Sequence, residues 1–466
     1  MMKFFTTLAL GVVLISFGCS SPVRMTRFEC PPAEEIHPCT CSTNPKKIVK
    51  CEDVKNLDIV REVLENRFQV PLPTLFLTNV HTIQLPHHAF STIPVKRLVL
   101  NGSNIRQIHD DAFDGQDTLG FLILAKDRLT DIPTEALKRL PHLRTLSLSG
   151  NFIMKIANES LAEIVSLKSL TLSENRISHI EKNAFPENLD TLILYENLIT
   201  TMNGSVNDLS NLEHLSVGNN RLTSVKNELN GLTKLRFLSL AGNNIFDIDD
   251  SFDDLINLNY LNLAYNSLEN VDDGLYSLKK LKTLNLSYNY ITDIDEDLFK
   301  NVNEIQNLDL SGNYLNDACK TLRPLKDMQQ LILSNTNLQT IDYECFKGMK
   351  NLEVLDLSQN ELTSIDAVTD HMFPKLSYLL LQNNRLHLFR HGLKNLRNLE
   401  VLDISYNDIV TLKGYHFMHN THLKKFMIEG NPWECSDHLI SLLEILEMWT
   451  TELVGAPPCY LSREIF

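Results

Sequence analysis

Sulfur is the first source of chemistry that the 466 residues offer. Of nine cysteines, Cys19 sits in an apolar leader and eight follow it. Cys30, Cys39, Cys41 and Cys51 crowd the front, Cys319 and Cys345 form an isolated pair, and Cys435 and Cys459 stand near the end. An even number of thiols in an exported chain points to disulfides rather than thiol catalysis. The front four allow three connectivities, and Cys319 and Cys345 are either bridged or two buried thiols. Zinc is a poor reading of these sulfurs, because the lone C-x-C has no second pair at ligand spacing. Acid–base and nucleophilic chemistry are equally thin. There is no G-x-S-x-G, no H-E-x-x-H and no glycine-rich phosphate loop, and 15 histidines lie scattered, among them His87, His88, His109 and His391. No enzymatic activity, cofactor or metal is expected. Sugar attachment is the remaining chemistry, at the sequons of Asn101, Asn158, Asn203 and Asn285.

The start of the chain explains why export is expected. "MMKFFTTLALGVVLISFGCSS" joins one lysine, an apolar run and small residues suited to cleavage, which reads as a signal peptide over 1–20. A lipidated Cys19 is the weaker reading, since no leucine stands three residues before it. No later segment offers the long apolar run of a membrane span or the tail of a lipid-anchor signal, so a secreted, extracellular protein without a membrane anchor is expected. The net charge of −15 argues against nucleic acid as partner. Apolar content of 43% and charged content of 22% are those of a folded chain.

What must position any site is a repeat. "LNYLNLAYNSL" (258–268) and "LKTLNLSYNYI" (281–291) follow one template, L-x-x-L-x-L-x-x-N-x-L, which returns every 22 to 24 residues from "VKRLVLNGSNI" (95–105) to "LKKFMIEGNPW" (423–433). A degenerate copy, "LPTLFLTNV" (72–80), precedes the first clear one. An L-x-L strand sends its leucines to one side and the x residues to the other. One copy cannot bury its leucines alone, so the copies must stack. The Asn position is filled by Asn in twelve of fifteen copies and otherwise by Ser103, Asp127 and Thr336. Those small polar side chains are expected to satisfy backbone groups of neighbouring coils. Phrases such as "IHDDAF" and "IEKNAF" supply a phenylalanine to the returning half, where short helical or 3₁₀ turns are expected.

This pattern resembles the leucine-rich repeat family. The resemblance implies an α/β solenoid: a curved horseshoe with a parallel concave sheet and disulfide-bonded caps at both ends. The expected layout is a cysteine cap over 21–70, an array of about 15–16 repeats over 71–430, and a C-terminal cap over 431–466. "CPPAEEIHPCTCSTNPKKIVKC" (30–51) resembles the family's N-terminal cap, which implies Cys30–Cys41 and Cys39–Cys51. Apolar residues at helical spacing in "LDIVREVLENRF" (57–68) suit a helix covering the first coil. "NPWEC" (431–435) resembles the opening of the C-terminal cap of secreted members. Asp437 replaces its usual next cysteine, which leaves Cys435 to close on Cys459.

With the leucines inward, function is left to the x positions. Phe237 and Tyr260, with Tyr265 and Tyr288 just before their asparagines, supply four aromatics on consecutive coils. Asp309, Asp356 and Asp403 give an acidic column further along. A glycan on Asn285 would stand among those aromatics. An acidic outer edge over 246–255, 270–275 and 292–299 lacks a D-x-D-x-D-G calcium loop and reads as a solvated face. The expectation is a non-enzymatic scaffold binding a protein or glycoconjugate on its concave face, in matrix, signalling or innate recognition. The front of the chain, from the cap to "VKRLVLNG", is similar to secreted arthropod leucine-rich repeat proteins related to the non-catalytic subunit of a shrimp luciferase. That similarity implies an alternative: an accessory subunit stabilising a catalytic partner such as a luciferase-like oxygenase.

Overall fold

The computed structural model describes residues 28–207, 209–369, 373–387, 393–455 and 457. The leader, His391 and Cys459 lie outside them. Each coil contributes one strand whose inward residue is buried and whose neighbours face out, as at Thr145–Ser147, Phe237–Ser239 and Thr283–Asn285. The strands pair in parallel with leucine beside leucine, from Leu98↔Leu122 through Leu238↔Leu261 to Leu379↔Leu402. The result is a 19-stranded sheet, and its buried leucines contribute on the order of 1.5–3 kcal/mol each before chain ordering is charged against them. The degenerate copy joins this sheet, Leu75–Thr78 pairing with Arg97–Asn101.

Two backbone devices turn each strand into its coil. The ladder asparagines bond three ways: Asn313, fully buried, accepts from the Ile291 N–H at 3.0 Å and donates to the Leu286 and Leu310 carbonyls, both at 2.9 Å. The residue before each asparagine is left-handed, with φ of +71° at Gly150, +69° at Gly242 and +55° at Tyr265. Glycine takes that conformation without cost; other residues are strained by about 1 kcal/mol. The convex side carries the expected short helices, at Thr134–Lys138, Glu296–Asn301 and Ala318–Leu322, with 3₁₀ turns at Tyr343–Phe346 and Gly414–His416. Buried phenylalanines pack between coils beneath them, Phe90 against Phe113 at 6.1 Å.

Both ends of the sheet are covered. Disulfides Cys30–Cys41 and Cys39–Cys51 hold an antiparallel pair, Thr40–Ser42 with Ile48–Glu52, whose second strand continues the sheet onto Leu75–Thr78. The helix that follows is shorter than the spacing suggests. It runs Leu57–Leu64, capped by the Asn56 side chain, and stops because Asn66 is left-handed, with φ of +56°. Phe68 lies beyond it and stacks on Phe28. At the other end, the helix Asp437–Met448 buries Leu439, Leu442, Leu443 and Leu446. Glu452–Val454 then adds a last parallel strand, which sequence periodicity did not reveal. Cys435 is disulfide-bonded. Cys319 and Cys345 are bridged, with Cα atoms 4.4 Å apart, joining the convex turns of adjacent coils. Among the described residues, no helix is long and apolar enough to cross a membrane.

Candidate functional site

The outward column that opens each strand carries Thr191, His214, Phe237, Tyr260 and Thr283 in continuous register. Strands about 4.8 Å apart hold equivalent side chains at stacking distance, and here three rings stack. His214 lies on Phe237 at 3.9 Å and Phe237 on Tyr260 at 4.4 Å, tilted by only 8° and 6°. His214 extends the aromatic pair that the sequence singled out, and it is readable from the same column. Burial lowers its pKa and favours the neutral imidazole.

Tyr265 and Tyr288 form a second stack, at 4.5 Å and 7°, at the far end of the strands. The four aromatics are thus two pairs rather than one patch, separated by up to roughly 16 Å at ~3.3 Å per extended residue. Asn262 and Asn285 lie between them. Tyr265 and Tyr288 are 59% and 44% exposed although both hold left-handed backbone. The Tyr288 ring overhangs Gly312, where an added Cβ would meet ring atoms at 2.6 Å. Glycine is required there both by its φ of +68° and by the ring above it.

The acidic column is less free than the sequence suggests. Asp309 accepts from the Ser311 N–H at 3.0 Å and its hydroxyl at 2.6 Å, and Asp403 does the same for Ser405 at 2.9 and 2.6 Å. Asp356 accepts from the Ser358 N–H at 2.9 Å. One oxygen of each carboxylate therefore closes the turn after its strand, and Asp403 is only 8% exposed. Burial, and then the charges of Asp309 and Asp403, raise the Asp356 pKa. Beyond them, Tyr314 and Tyr406 flank a cleft of about 680 Å³ crossed by the Arg385–Glu361 ion pair, 3.1 Å long. That feature was missed because it is built from turn positions rather than strand positions.

The outer acidic edge is engaged in capping. Asp247 and Asp295 accept from the N–H two residues on, both at 2.9 Å, and Asp272 accepts from the Asp295 N–H at 3.1 Å. Among the sequons, Asn158 and Asn203 are exposed on outer turns, and Asn101 is half-buried at a strand end. Asn285 is half-buried on the concave strand, its oxygen accepting from the Ser287 N–H and hydroxyl at 2.9 and 2.7 Å.

The chain belongs to the leucine-rich repeat family. Residues 117–177, 256–315 and 326–386 match the family described as leucine rich repeat, 210–257 its two-copy form, and 395–414 a further single repeat. Over 128 residues the chain is 29% identical to chaoptin of Drosophila melanogaster, a match that covers 27% of this chain and 9% of chaoptin. It superposes on TLR13 from a TLR13–ssRNA13 complex with a TM-score of 0.69 and 23% identity, covering 86% of this chain and 59% of that one. It also superposes on a chain of the Drosophila Toll–Spatzle complex with a TM-score of 0.61 and 16% identity, covering 90% and 70%. These likenesses show the fold.

Proposed function

We propose that the chain is an extracellular, non-enzymatic binding scaffold that takes a protein or glycoconjugate on its concave face. The observation that carries this reading is the pair of aromatic stacks at the centre of the sheet. Tyrosine and phenylalanine bury much area for little lost freedom, and two of the tyrosines hold strained backbone that glycine would relieve. The acidic column beside them and the net charge of −15 suit a partner with apolar and basic groups, and they disfavour RNA, the ligand named in the TLR13 complex. The Toll–Spatzle complex supports a protein partner by analogy of fold.

The test is affinity capture from the native secretion, comparing wild type with Phe237→Ala/Tyr260→Ala/Tyr265→Ala/Tyr288→Ala. Far-UV circular dichroism checks that the variant keeps its fold. Wild type is expected to hold a partner that the variant loses, since anchor residues of this kind cost about 2 kcal/mol or more apiece. Equal capture by both proteins would sink the aromatic site. A partner that proves to be one catalytic chain in fixed ratio would instead establish the accessory-subunit reading. The same reading predicts glycan occupancy: peptide mass spectrometry of the secreted protein is expected to find sugar on the exposed Asn158 and Asn203 and none on Asn285. A fully occupied Asn285 would place a glycan between the two stacks and rule out their joint use.

A further inference from the structure

On the convex side, two adjacent coils bring three histidines and two aspartates together. Short outer strands Gln84–Leu85 and Gln107–Ile108 pair in parallel and fix the register of the turns that follow. The His109 N–H then donates to the Leu85 carbonyl at 3.0 Å and the His88 N–H to the Asp111 carbonyl at 3.3 Å, so backbone bonds hold the cluster from both sides. His87 Nδ1 lies 2.9 Å from one Asp111 carboxylate oxygen and His109 Nδ1 lies 2.7 Å from the other. The two imidazole rings meet at a tilt of 37°, with centroids 3.3 Å apart. His88 stands beside them, 3.9 Å from Asp111 and 3.9 Å from Asp114.

We infer that His87, His109 and Asp111 form a site for a zinc-class divalent ion, with His88 and Asp114 within reach. The ligand atoms of His87, His109 and Asp111 all lie within 4.8 Å of one another, as do those of His88, Asp111 and Asp114. A tetrahedral ion about 2.0–2.1 Å from nitrogen and oxygen ligands needs them roughly 3.3 Å apart, so side-chain adjustment alone admits it. Imidazole nitrogens select zinc, copper or nickel over calcium and magnesium, which prefer all-oxygen sets. An ion here would replace the imidazole protons now directed at Asp111, and three protein ligands leave a fourth position for water or His88. Aligned on the outer strand pair of two later coils, the equivalents of His87, His109 and Asp111 are Asn158, Glu181 and Asn183, with no imidazole and one carboxylate, so the donor set belongs to these two coils and not to the repeat. The site is independent of the concave face.

Calorimetric titration of zinc chloride into the untagged, dialysed full chain tests it. One zinc per chain is expected, with no heat from calcium chloride, and cobalt(II) is expected to give the visible absorption of a tetrahedral ion. His87→Ala, His109→Ala and Asp111→Asn are each expected to weaken zinc by about tenfold or more, while His179→Ala, at an exposed histidine of a short outer strand on a later coil, leaves it unchanged. His87 is largely exposed, so its substitution does not threaten the fold. Zinc bound at less than one per chain, or with equal affinity by wild type and all three variants, would overturn the site and leave an ionic cluster only.

Discussion

Replacing Asn360 with alanine is expected to destabilise the solenoid by about 3–5 kcal/mol, well beyond the same change at Asn384. The ladder normally gives each coil its own asparagine, but the coil before this one has Thr336 instead, and Asn360 serves both. Its oxygen accepts from the Thr336 N–H and the Leu338 N–H, both at 3.0 Å, while the Thr336 hydroxyl donates to the Leu333 carbonyl at 2.8 Å. Its nitrogen donates to the carbonyls of Leu333, Leu357 and Ser358 at 2.7, 3.1 and 3.0 Å. Asn384 accepts one N–H, from Leu362, and donates to the Leu357 and Leu381 carbonyls. Alanine at 360 would strand the buried N–H groups of Thr336 and Leu338, at about 1–3 kcal/mol each before water enters. The Leu333, Leu357 and Ser358 carbonyls keep the Thr336 hydroxyl, Asn384 and the Asn335 N–H as donors. Denaturant unfolding followed by circular dichroism measures the difference, and limited proteolysis locates it, since a stacked array opens locally. Cleavage is expected between about residues 330 and 360. Loss of stability within about 0.5 kcal/mol of that for Asn384→Ala would show that the shared asparagine bears no extra weight.

That asymmetry marks where sequence reading reached and where it stopped. The leucine and asparagine periods require stacking and a parallel sheet, because no other arrangement buries one face of each strand, and the fold follows them. The three exceptions in the ladder look alike as letters but differ in the structure. Ser103 accepts from the Val80 N–H at 3.2 Å, Thr336 depends on its neighbour, and Asp127 leaves an oxygen without a partner. On the concave face, alternation identified the outward columns correctly. Spacing already put Tyr265 and Tyr288 five and more positions beyond the strand openings of Phe237 and Tyr260, but it could not tell that each pair stacks, nor that the aspartates turn back onto Ser311, Ser358 and Ser405. A signal was present for the second stack: Tyr265 and Tyr288 share their column with Gly150, Gly242 and Gly312, so they occupy positions where a side chain is costly. The histidine cluster was illegible because its register is set by two-residue outer strands, which no period announces.

The opposite sign is expected at the third exception: Asp127→Asn should stabilise the protein by about 1–3 kcal/mol at pH 7.5, with the gain shrinking toward pH 4. Asp127 is 3% exposed. Its Oδ1 accepts from the Ile105 N–H at 3.1 Å, as a ladder asparagine would, but Oδ2 is buried without a hydrogen-bond partner. An asparagine here could donate to strand carbonyls, as Asn151 does to Leu124 and Leu148 at 2.8 and 2.9 Å. Burial raises the Asp127 pKa from 3.8 to about 6, offset only in part by the Ile105 N–H and by the nearby backbone N–H groups of Ser103 and Asn104. Between those two values the folded chain holds a proton that the unfolded chain releases. The stabilising contribution of the protonated acid is therefore complete below about pH 3.8 and disappears as pH rises through about 6. A shift of about two units corresponds to about 3 kcal/mol, the upper end of the expected gain. Other carboxylates titrate in both proteins, so the informative quantity is the stability difference between variant and wild type, measured by denaturant unfolding at pH 4, 5, 6 and 7.5. A difference that grows through pH 6 identifies the buried carboxylate as the cause, whereas a difference constant with pH would assign the whole effect to the donors that asparagine restores and would refute the raised pKa.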